Sequence, residues 1–481
     1  MNLSFLNKEI APFNLYKVLW KFVLLILRII LIVIVVFISS LFTILQGGFL
    51  SDLAVTPWWL KAQRESQTYF AKLNGHRYQA GPLDFAAKDE NAWGYYNRAT
   101  QWVFSLDGED QDVIDPHLYD HHKTTFADTE RVVKRYARAF AIWDSGTACR
   151  YCAIPADYEK GFARGIPDYI GLQHLAELAL VYAGFEILKG DTQKAAEIYA
   201  KVLKMGADVG GGEEAIIGQM VGVVIARKTE TALKTNLNSF NFEAIVTLKK
   251  NLHQIESNWP RFDTALDAEG RSYLLPSSTG WDGRNLFEGF QMTYPWGQSR
   301  PIYIQIFLRI SYSLLSWKRG FSGRLTAIAT SRRVVDLAKR LRTVPKRDWD
   351  GIRPVLVKAD TELERDARHW DITVIPVANF NRMDQRIYEA LITLRVIEGG
   401  LRLREYKLKK GKFPDDMKSF LASDTSYYDL ADSKPLRFLP DSTGQTIRLY
   451  SIGMNLKDDK GESDLGYLAE KGKDDIWVEV K

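Results

Sequence analysis

The segment Met383–Leu421 reads MDQRIYEALITLRVIEGGLRLREYKLKKGKFPDDMKSFL and decides how the C-terminal part of the chain is interpreted. Its apolar residues recur every three or four positions, which predicts a long helix. Three short strand-like segments follow: PLRFLP at 435–440, TIRLYSIG at 446–453 and DDIWVEV at 474–480. Turn residues separate them. A long helix followed by a small antiparallel sheet is therefore expected at the C-terminus.

Two adjacent glycines, Gly399 and Gly400, interrupt the apolar pattern of this helix. Each glycine inside a helix costs about 1 kcal/mol relative to alanine, so a pair of them needs a physical reason. We expect these positions to admit a close neighbour, which is either the sheet or another helix.

The composition is that of a globular protein and does not indicate a nucleic-acid partner. A chain of 481 residues is expected to form about two or three folded units. Hydrophobic residues make up 46% and charged residues 26%, and the net charge of +5 is small for this length. A dedicated nucleic-acid binder usually has a larger or more concentrated basic surface. The two cysteines, Cys149 and Cys152, exclude a scaffold held by several disulfides.

An apolar segment near the N-terminus, Phe22–Leu45, predicts a transmembrane anchor. It reads FVLLILRIILIVIVVFISSLFTIL and exceeds the roughly 20 apolar residues that a hydrocarbon core requires. Lysines precede the segment, and no lysine or arginine follows it until Lys61. This bias predicts that residues 1–21 are cytoplasmic and that the bulk of the chain lies outside. A cleaved signal peptide is the alternative, but its apolar core is shorter and a small-x-small site should follow.

The residues between the anchor and the C-terminal helix, 51–375, are expected to form a helical domain. Leu172–Gly190 ends in a Lys-Gly step that is typical of a helix end. Thr192–Gly206 predicts a second helix, and the two together resemble one tetratricopeptide-type hairpin. Because the pattern does not recur, an irregular helical bundle is predicted rather than a solenoid. The apolar run Pro301–Trp317 is short for a membrane span, so a buried or surface-docked helix is preferred there. A second crossing is the alternative, because basic residues follow the run.

The histidines in DPHLYDHH, residues 115–122, are the candidates for a transition-metal site. In a helix, His117 and His121 would lie one turn apart on one face, a spacing that can bind zinc. No third ligand follows at motif spacing, and Pro116 favours a helix start. A solvated helix start is therefore preferred, and no catalytic residue is assigned.

The pair Cys149-x-x-Cys152 allows several interpretations. A redox site would need a strand-to-helix junction within a βαβ unit, and a zinc ribbon would need a second pair of ligands. The surrounding sequence indicates helices and offers no second pair. A local disulfide or two buried thiols are therefore the preferred alternatives.

Two stretches of the chain resemble a family of uncharacterised, membrane-anchored bacterial proteins common in planctomycete-type genomes. The first begins at Cys149 with CRYCAIPADYEKGF and continues into the helical hairpin. The second contains the segments REYKLKKGKFP, SKPLRFLP, LYSIGMN and DDIWV. The resemblance covers residues 149–481, implies a membrane-anchored extracytoplasmic protein, and carries no known activity.

The C-terminal region, residues 376–481, also resembles the globular domain of the major pseudopilins of type II secretion. The matching positions at the helix exit are Tyr406, Gly411, Phe413 and Pro414. The matching positions in the closing strands are Leu449, Tyr450, Ser451, Gly453, Asp475 and Ile476. The resemblance implies a small α+β domain at the end of a mainly α chain.

Pseudopilins of this type bind calcium in the loop between the closing strands, so the resemblance implies a Ca²⁺ site here. The candidate ligands at the matching positions are Asn455, Asp458, Asp459, Asp474 and Asp475. Oxygen ligands gathered in one loop suit a hard cation. The loop departs from the family pattern because Leu456-Lys457 replaces a small, glycine-containing step and further lysines add positive charge. Solvated acidic turns are the alternative.

The position of the anchor limits the comparison with pseudopilins. In pseudopilins the membrane helix continues directly into the helix of the globular domain. Here a whole predicted helical region separates Leu45 from Met383. At a rise of about 1.5 Å per residue, a single helix across that many residues would be far longer than any folded domain, so one continuous helix cannot join them. The C-terminal region is therefore expected to be a module on a different anchor rather than a filament subunit.

Three hypotheses for the function follow. The preferred one is a single-pass, membrane-tethered interaction or scaffold protein of the bacterial cytoplasmic membrane, with a periplasmic domain, lipid contacts through Phe22–Leu45 and envelope proteins as partners. The second is an accessory component of a type II secretion or pilus-like system. The third is an envelope metal-dependent hydrolase that uses the group Asp115, His117, His121 and His122, or carboxylates such as Glu213 and Glu214. Because GxSxG, HExxH and P-loop spacings are absent from the sequence, an enzyme is the less favoured class.

Overall fold

The computed structural model confirms a mostly helical chain with an apolar N-terminal helix and a small antiparallel sheet near the C-terminus. It describes residues 15–47, 49–73, 76–103, 108–119, 124–155, 167–212, 216–272, 274–275, 328–345, 349–370, 380–462 and 474–481. The predicted helix Pro301–Trp317 lies outside these residues.

The chain divides into two compact units. They comprise Met1–Ala62 with Thr279–Ala327, and Gln63–Ser278 with Ile328–Lys481. Helix α1 (Leu15–Gly47) belongs to the first unit, and its window Trp20–Phe37 has a mean hydropathy of 2.8 and contains no buried residue. Among the described residues, α1 is the one helix with the length and composition to cross a membrane, and a signal sequence shares these properties.

The second unit contains most of the helices and all the strands that the structure describes. Its helices follow α2 (Phe49–Leu73), which enters this unit at Gln63. They are α3 (Ala92–Thr100), α4 (Gly108–Tyr119), α5 (Phe126–Arg135), α6 (Ala137–Thr147), α7 (Tyr169–Leu188), α8 (Thr192–Gly212), α9 (Ile216–Asn236), α10 (Phe242–Asn258), α11 (Phe262–Ser272), α12 (328–343), α13 (Trp349–Trp370), α14 (Phe380–Lys410) and α15 (Met417–Ala422). The strands are β1 (Lys88–Asn91), β2 (Cys149–Tyr151), β3 (Arg437–Pro440), β4 (Ile447–Ser451) and β5 (Ile476–Val480).

The predicted helical hairpin forms as α7 and α8. The side chain of Asp168 caps the start of α7 by accepting a hydrogen bond from the amide of Gly171 at 2.9 Å. At the other end, Gly190 adopts a φ of +85°, which ends the helix where the Lys-Gly step predicts. Residues from both helices belong to one large hydrophobic core.

Helices α8 and α9 pack backbone to backbone. A β-carbon built at Gly222 would lie 2.4 Å from the carbonyl oxygen of Gly206. No side chain fits at that distance, so the two helices can approach this closely because both positions are glycine.

Helix α14 is the long helix predicted at the start of the C-terminal region, and it lies inside the second unit. Every residue from 390 to 401 is buried, so all its faces are covered over about three turns. It contacts α9, α10, β4 and β5. The expected domain boundary at residues 375/376 lies outside the described residues, and residues on both sides of it contribute to the same hydrophobic core.

Charged pairs join α14 to two of its helical neighbours, α9 and α10. The contacts with α10 are Glu256–Arg395, His253–Glu398 and Lys249–Glu405, and a contact with α9 is Arg227–Glu389. Glu256, Glu398 and Arg395 are all less than a tenth exposed. Charges buried in a helix interface must be paired, so these contacts fix the position of α14 relative to α9 and α10.

The sheet packs on α14 at its glycine pair. Strands β3, β4 and β5 are antiparallel in that order, with Leu449 opposite Val478. A β-carbon at Gly399 would lie 2.9 Å from Leu449, and one at Gly400 would lie 2.8 Å from Val478. The expectation that these glycines admit a close neighbour is confirmed, and that neighbour is the sheet.

A side chain from the helical part of the unit covers part of the outer edge of β5. Asn238, in the 3-10 turn Leu237–Ser239, donates from Nδ2 to the carbonyl of Glu479 at 3.0 Å. Its Oδ1 accepts from the amide of Lys481 at 2.8 Å. These are the bonds that a neighbouring strand would make, so Asn238 covers part of an edge that would otherwise be open.

Candidate metal centre

Three of the five predicted calcium ligands converge beside the start of β5. Asp459 lies in the segment after β4, and Asp474 and Asp475 directly precede Ile476. One carboxylate oxygen from each of these aspartates lies within 4.8 Å of the others. The three carboxylates are therefore close enough to share one cation, and we refer to them as the aspartate trio.

Backbone amides hold Asp474 in position. Its Oδ2 accepts hydrogen bonds from the amides of Met454 at 3.0 Å and Asn455 at 2.9 Å. Gly453 has a φ of +65°, and a β-carbon there would lie 2.3 Å from the carbonyl oxygen of Asp474. Gly453, which matches the pseudopilin pattern, is thus required by the geometry of the loop.

The other two predicted ligands have different contacts. Asn455 donates from Nδ2 to Oδ2 of Asp459 at 3.1 Å, so it orients one member of the trio. Asp458 accepts from the amide of Lys460 at 2.9 Å and from the hydroxyl of Tyr450 at 3.1 Å. Asp458 therefore closes a turn and lies outside the aspartate trio.

The loop between β4 and β5 contains a residue in a strained backbone conformation. Leu456 adopts a φ of +60°, in the left-handed region. A non-glycine residue pays roughly 1–2 kcal/mol for this conformation. The strain falls at the step where the family pattern has a small, glycine-containing sequence.

Asp474 and Asp475 each have one buried oxygen that lacks a hydrogen bond. Asp475 is only 1% exposed, and its Oδ2 accepts from the amide of Gly461 at 2.7 Å. The Oδ1 atoms of both aspartates are buried and have no hydrogen-bond partner among the described residues. Leaving a buried polar atom unpaired is costly, and a bound cation is one kind of partner that satisfies such an oxygen.

The electrostatics of the trio agree with this geometry. Burial raises the pKa of Asp474 to about 6, and the charges of Asp475 and Asp459 add to the shift. Burial also raises the pKa of Asp475 to about 6, with further contributions from Asp459 and Asp458. Hydrogen bonds from backbone amides act in the opposite direction in both cases. Carboxylates that repel each other in a partly buried loop are the kind of oxygen ligands that a hard cation such as Ca²⁺ requires.

The two cysteines are free buried thiols. Cys149 and Cys152 are both fully buried, and their backbone is extended: Cys149 pairs with Lys88, and Cys152 bridges to Tyr78. Three extended residues span about 10 Å, whereas a disulfide requires α-carbons within about 7 Å. Burial raises the pKa of both thiols. Of the predicted alternatives, the structure has the buried thiols.

The predicted histidine group is only partly described. His117 lies in α4, whereas His121 and His122 lie outside the described residues. Glu213 and Glu214, which we considered as catalytic carboxylates, also lie outside them. The metal-dependent hydrolase stays an untested alternative.

A second group of metal-ligating residues was missed by the sequence analysis. His253, Glu256 and Glu398 each offer one ligand atom within 4.8 Å of the other two. His253 and Glu256 are three residues apart on α10, a spacing that places them on one face. That His-x-x-Glu spacing was the available signal, but Glu398 comes from α14, far away in sequence.

Comparisons with known protein families, with curated proteins and with solved structures found no match to this chain. The chain is therefore described by its own fold and candidate site. It is a mainly helical protein with an apolar N-terminal helix, a C-terminal α+β region that shares the core of the helical body, and a cluster of aspartates beside its last strand.

Proposed function

We propose that this chain is a membrane-tethered, extracytoplasmic interaction or scaffold protein whose C-terminal α+β region binds Ca²⁺. The observation that carries the calcium assignment is the convergence of Asp459, Asp474 and Asp475, together with the two unpaired buried oxygens. The resemblance to pseudopilins predicts a cation at the same place in the loop.

The tether rests on helix α1. Its apolar window Trp20–Phe37 has no buried residue and a mean hydropathy of 2.8, and such a surface is stable in a hydrocarbon environment. The basic residues on its N-terminal side support an orientation with the N-terminus in the cytoplasm. The lipid contact is then made by Phe22–Leu45, and the second unit lies in the periplasm.

A scaffold role agrees with the way α14 is held. Helices α9 and α10 and the sheet surround it, and its residues 390–401 are buried. A pseudopilin enters a filament through its long helix, and a helix covered on all sides is unavailable for that contact. The C-terminal region is therefore proposed to be a fixed part of the body that binds envelope proteins rather than a filament subunit.

The calcium assignment is tested on the full chain in detergent or nanodiscs. A ligand that binds only the native state stabilises it, by about 2.7 kcal/mol at a concentration of about 100 Kd. The melting temperature should therefore rise with free Ca²⁺ and fall when a chelator is added. Asp475→Asn, which keeps an oxygen for the amide of Gly461, should lose most of the response.

A matched control is Asp415→Asn, which removes an exposed carboxylate that pairs with Lys412. This variant should keep the full calcium response. A melting temperature of the wild-type chain that is the same with Ca²⁺ and with chelator would remove calcium from the proposal.

The scaffold role is tested by affinity capture of the full chain from bacterial membranes after crosslinking. Recovery of envelope proteins that depends on the second unit supports it. Recovery of secretion components would identify the accessory role instead. Release of the chain by alkaline carbonate would contradict the tether, because an inserted helix resists this extraction.

A further inference from the structure

We propose that His253, Glu256 and Glu398 form a second metal site, for a divalent transition metal such as Zn²⁺, across the contact between α10 and α14. The three side chains are not among the predicted ligands, and they belong to two helices rather than to the C-terminal loop. The inference does not depend on calcium binding by the aspartate trio.

The geometry brings one nitrogen and two carboxylates to a common point. Nδ1 of His253 lies 3.5 Å from Oε2 of Glu398, and all three ligand atoms lie within 4.8 Å of one another. Imidazole nitrogen and carboxylate oxygen are both ligands of catalytic and structural zinc. A modest side-chain movement brings such atoms to bonding distance of one ion.

Two arginines orient the carboxylates. Arg402 donates from Nε and Nη2 to Oε1 of Glu398 at 3.1 and 2.8 Å, so Oε2 is the oxygen that faces His253. Arg395 donates to Oε2 of Glu256 at 2.7 Å. Partners of this kind, which contact ligands rather than the metal, fix ligand orientation in known sites.

The charge balance selects the class of metal. The positive charges of Arg395 and Arg402 offset those of Glu256 and Glu398, so the site lacks the excess negative charge that holds Ca²⁺. Affinity must come from the imidazole nitrogen, and imidazole favours zinc, nickel, cobalt and copper over calcium. The aspartate trio has the opposite character, with oxygen ligands only.

The position of the site allows a metal to enter and to affect the fold. The side chain of His253 is 50% exposed, whereas that of Glu398 is 1% exposed. The ion would therefore enter from the solvent side past the imidazole. Once bound, it would link α10 to α14, the helix that supports the sheet.

The experiment uses the untagged full chain in detergent, dialysed against Zn²⁺ with excess Ca²⁺ present to occupy the aspartate trio. Bound zinc per chain is measured, and Co²⁺ absorption reports nitrogen coordination. The wild type should bind one zinc, and both His253→Ala and Glu398→Gln should weaken binding by at least about tenfold. Circular dichroism checks that each variant remains helical.

Two control variants make the result specific. His76→Ala removes an exposed histidine elsewhere and should leave zinc binding unchanged, and Asp475→Asn should also leave it unchanged. Equal zinc binding by the wild type and His253→Ala would overturn the proposal, as would no zinc above the level of the dialysis buffer. Either result would mean that the contact between His253 and Glu398 joins the two helices without a metal ion.

Discussion

Gly400 of α14 lies directly against Val478 of β5, because a β-carbon at Gly400 would come within 2.8 Å of Val478 Cγ1. The same β-carbon would lie 3.2 Å from Leu237, in the 3-10 turn before α10. One glycine therefore sits where the C-terminal helix, the sheet and the helical body meet. This contact joins the parts of the chain that the sequence analysis treated as two domains.

The first prediction concerns this contact. Gly400→Ala should destabilise the protein by about 1–3 kcal/mol, because the added methyl group would overpack the contact with Val478. The valine side chain is short and branched, so it cannot move away without its strand. Intrinsic helix propensity favours alanine by about 1 kcal/mol, so the sign of the measured change decides between packing and propensity. Urea unfolding of the full chain in detergent gives the free energy.

Gly94 is the matched control, since it lies in helix α3 with no atom within 4 Å of a β-carbon. Gly94→Ala should stabilise the protein by about 0.5–1 kcal/mol. If both alanine variants were stabilising, the result would contradict the close contact between Gly400 and Val478.

Much of the C-terminal architecture could be predicted because its signals are local. The pair Gly399-Gly400 indicated a close neighbour. The apolar periodicity predicted α14, and the strand-like segments between turn residues predicted the strands. The aspartate trio could be anticipated through the resemblance to pseudopilins, since Gly453 and Asp475 match that pattern. These residues could be recognised because their roles depend on neighbours in the same loop or on the helix in which they lie.

The features that could not be predicted depend on partners far away in sequence. Asn238 covers the edge of β5 through a contact across 243 positions to Lys481, and no local pattern marks an asparagine for that role. Glu398 meets His253 only because α14 lies on α10. Asp458 was predicted as a ligand because it is acidic and in the loop, but its turn contacts were not visible from composition.

The second prediction concerns pH and Asp384. This residue of α14 is 3% exposed, and burial, followed by the charge of Asp263, raises its pKa from 3.8 to about 8. The folded state therefore keeps a proton that the unfolded state releases. The resulting contribution to stability is fully present below about pH 4 and is lost as pH rises through about 8.

Asp384→Asn is permanently neutral and should remove this dependence. Relative to the wild type, the variant should gain stability progressively as pH rises from about 4 to about 8 and should show no further gain above that. The check is the free energy of unfolding at several pH values, measured for both proteins. Parallel curves would contradict the assigned burial of Asp384.

The third prediction concerns the buried pair Lys204 and Asp208 on α8. Both residues are fully buried, and Tyr96 also donates its hydroxyl proton to Oδ2 of Asp208 at 2.8 Å. Lys204→Met should destabilise the protein by about 3–5 kcal/mol, because it leaves the carboxylate buried without its cation. Adding Asp208→Asn should recover a large part of this loss, since the uncompensated charge is then removed.

The exposed pair Lys250–Asp84 is the control for that experiment, with side chains 53% and 72% exposed. Lys250→Met should change the free energy of unfolding by at most about 1 kcal/mol, as is usual for surface ion pairs. Equal effects at the two lysines would mean that Lys204 is solvated, contrary to its position in the core.

The fourth prediction concerns Cys149 and Cys152, which an oxidising compartment could join if their geometry allowed it. Their extended backbone separates the α-carbons by about 10 Å, so a disulfide would require β2 to leave its pairing with β1. The melting temperature should therefore be the same with and without reductant.

Alkylation followed by mass spectrometry gives a second test. In the folded protein both thiols should be unmodified, because both are fully buried. Alkylation after denaturation should modify both. A fall in melting temperature on reduction, or a chain that resists alkylation when denatured, would show that the cysteines are bridged and that the backbone around β2 differs from the extended one.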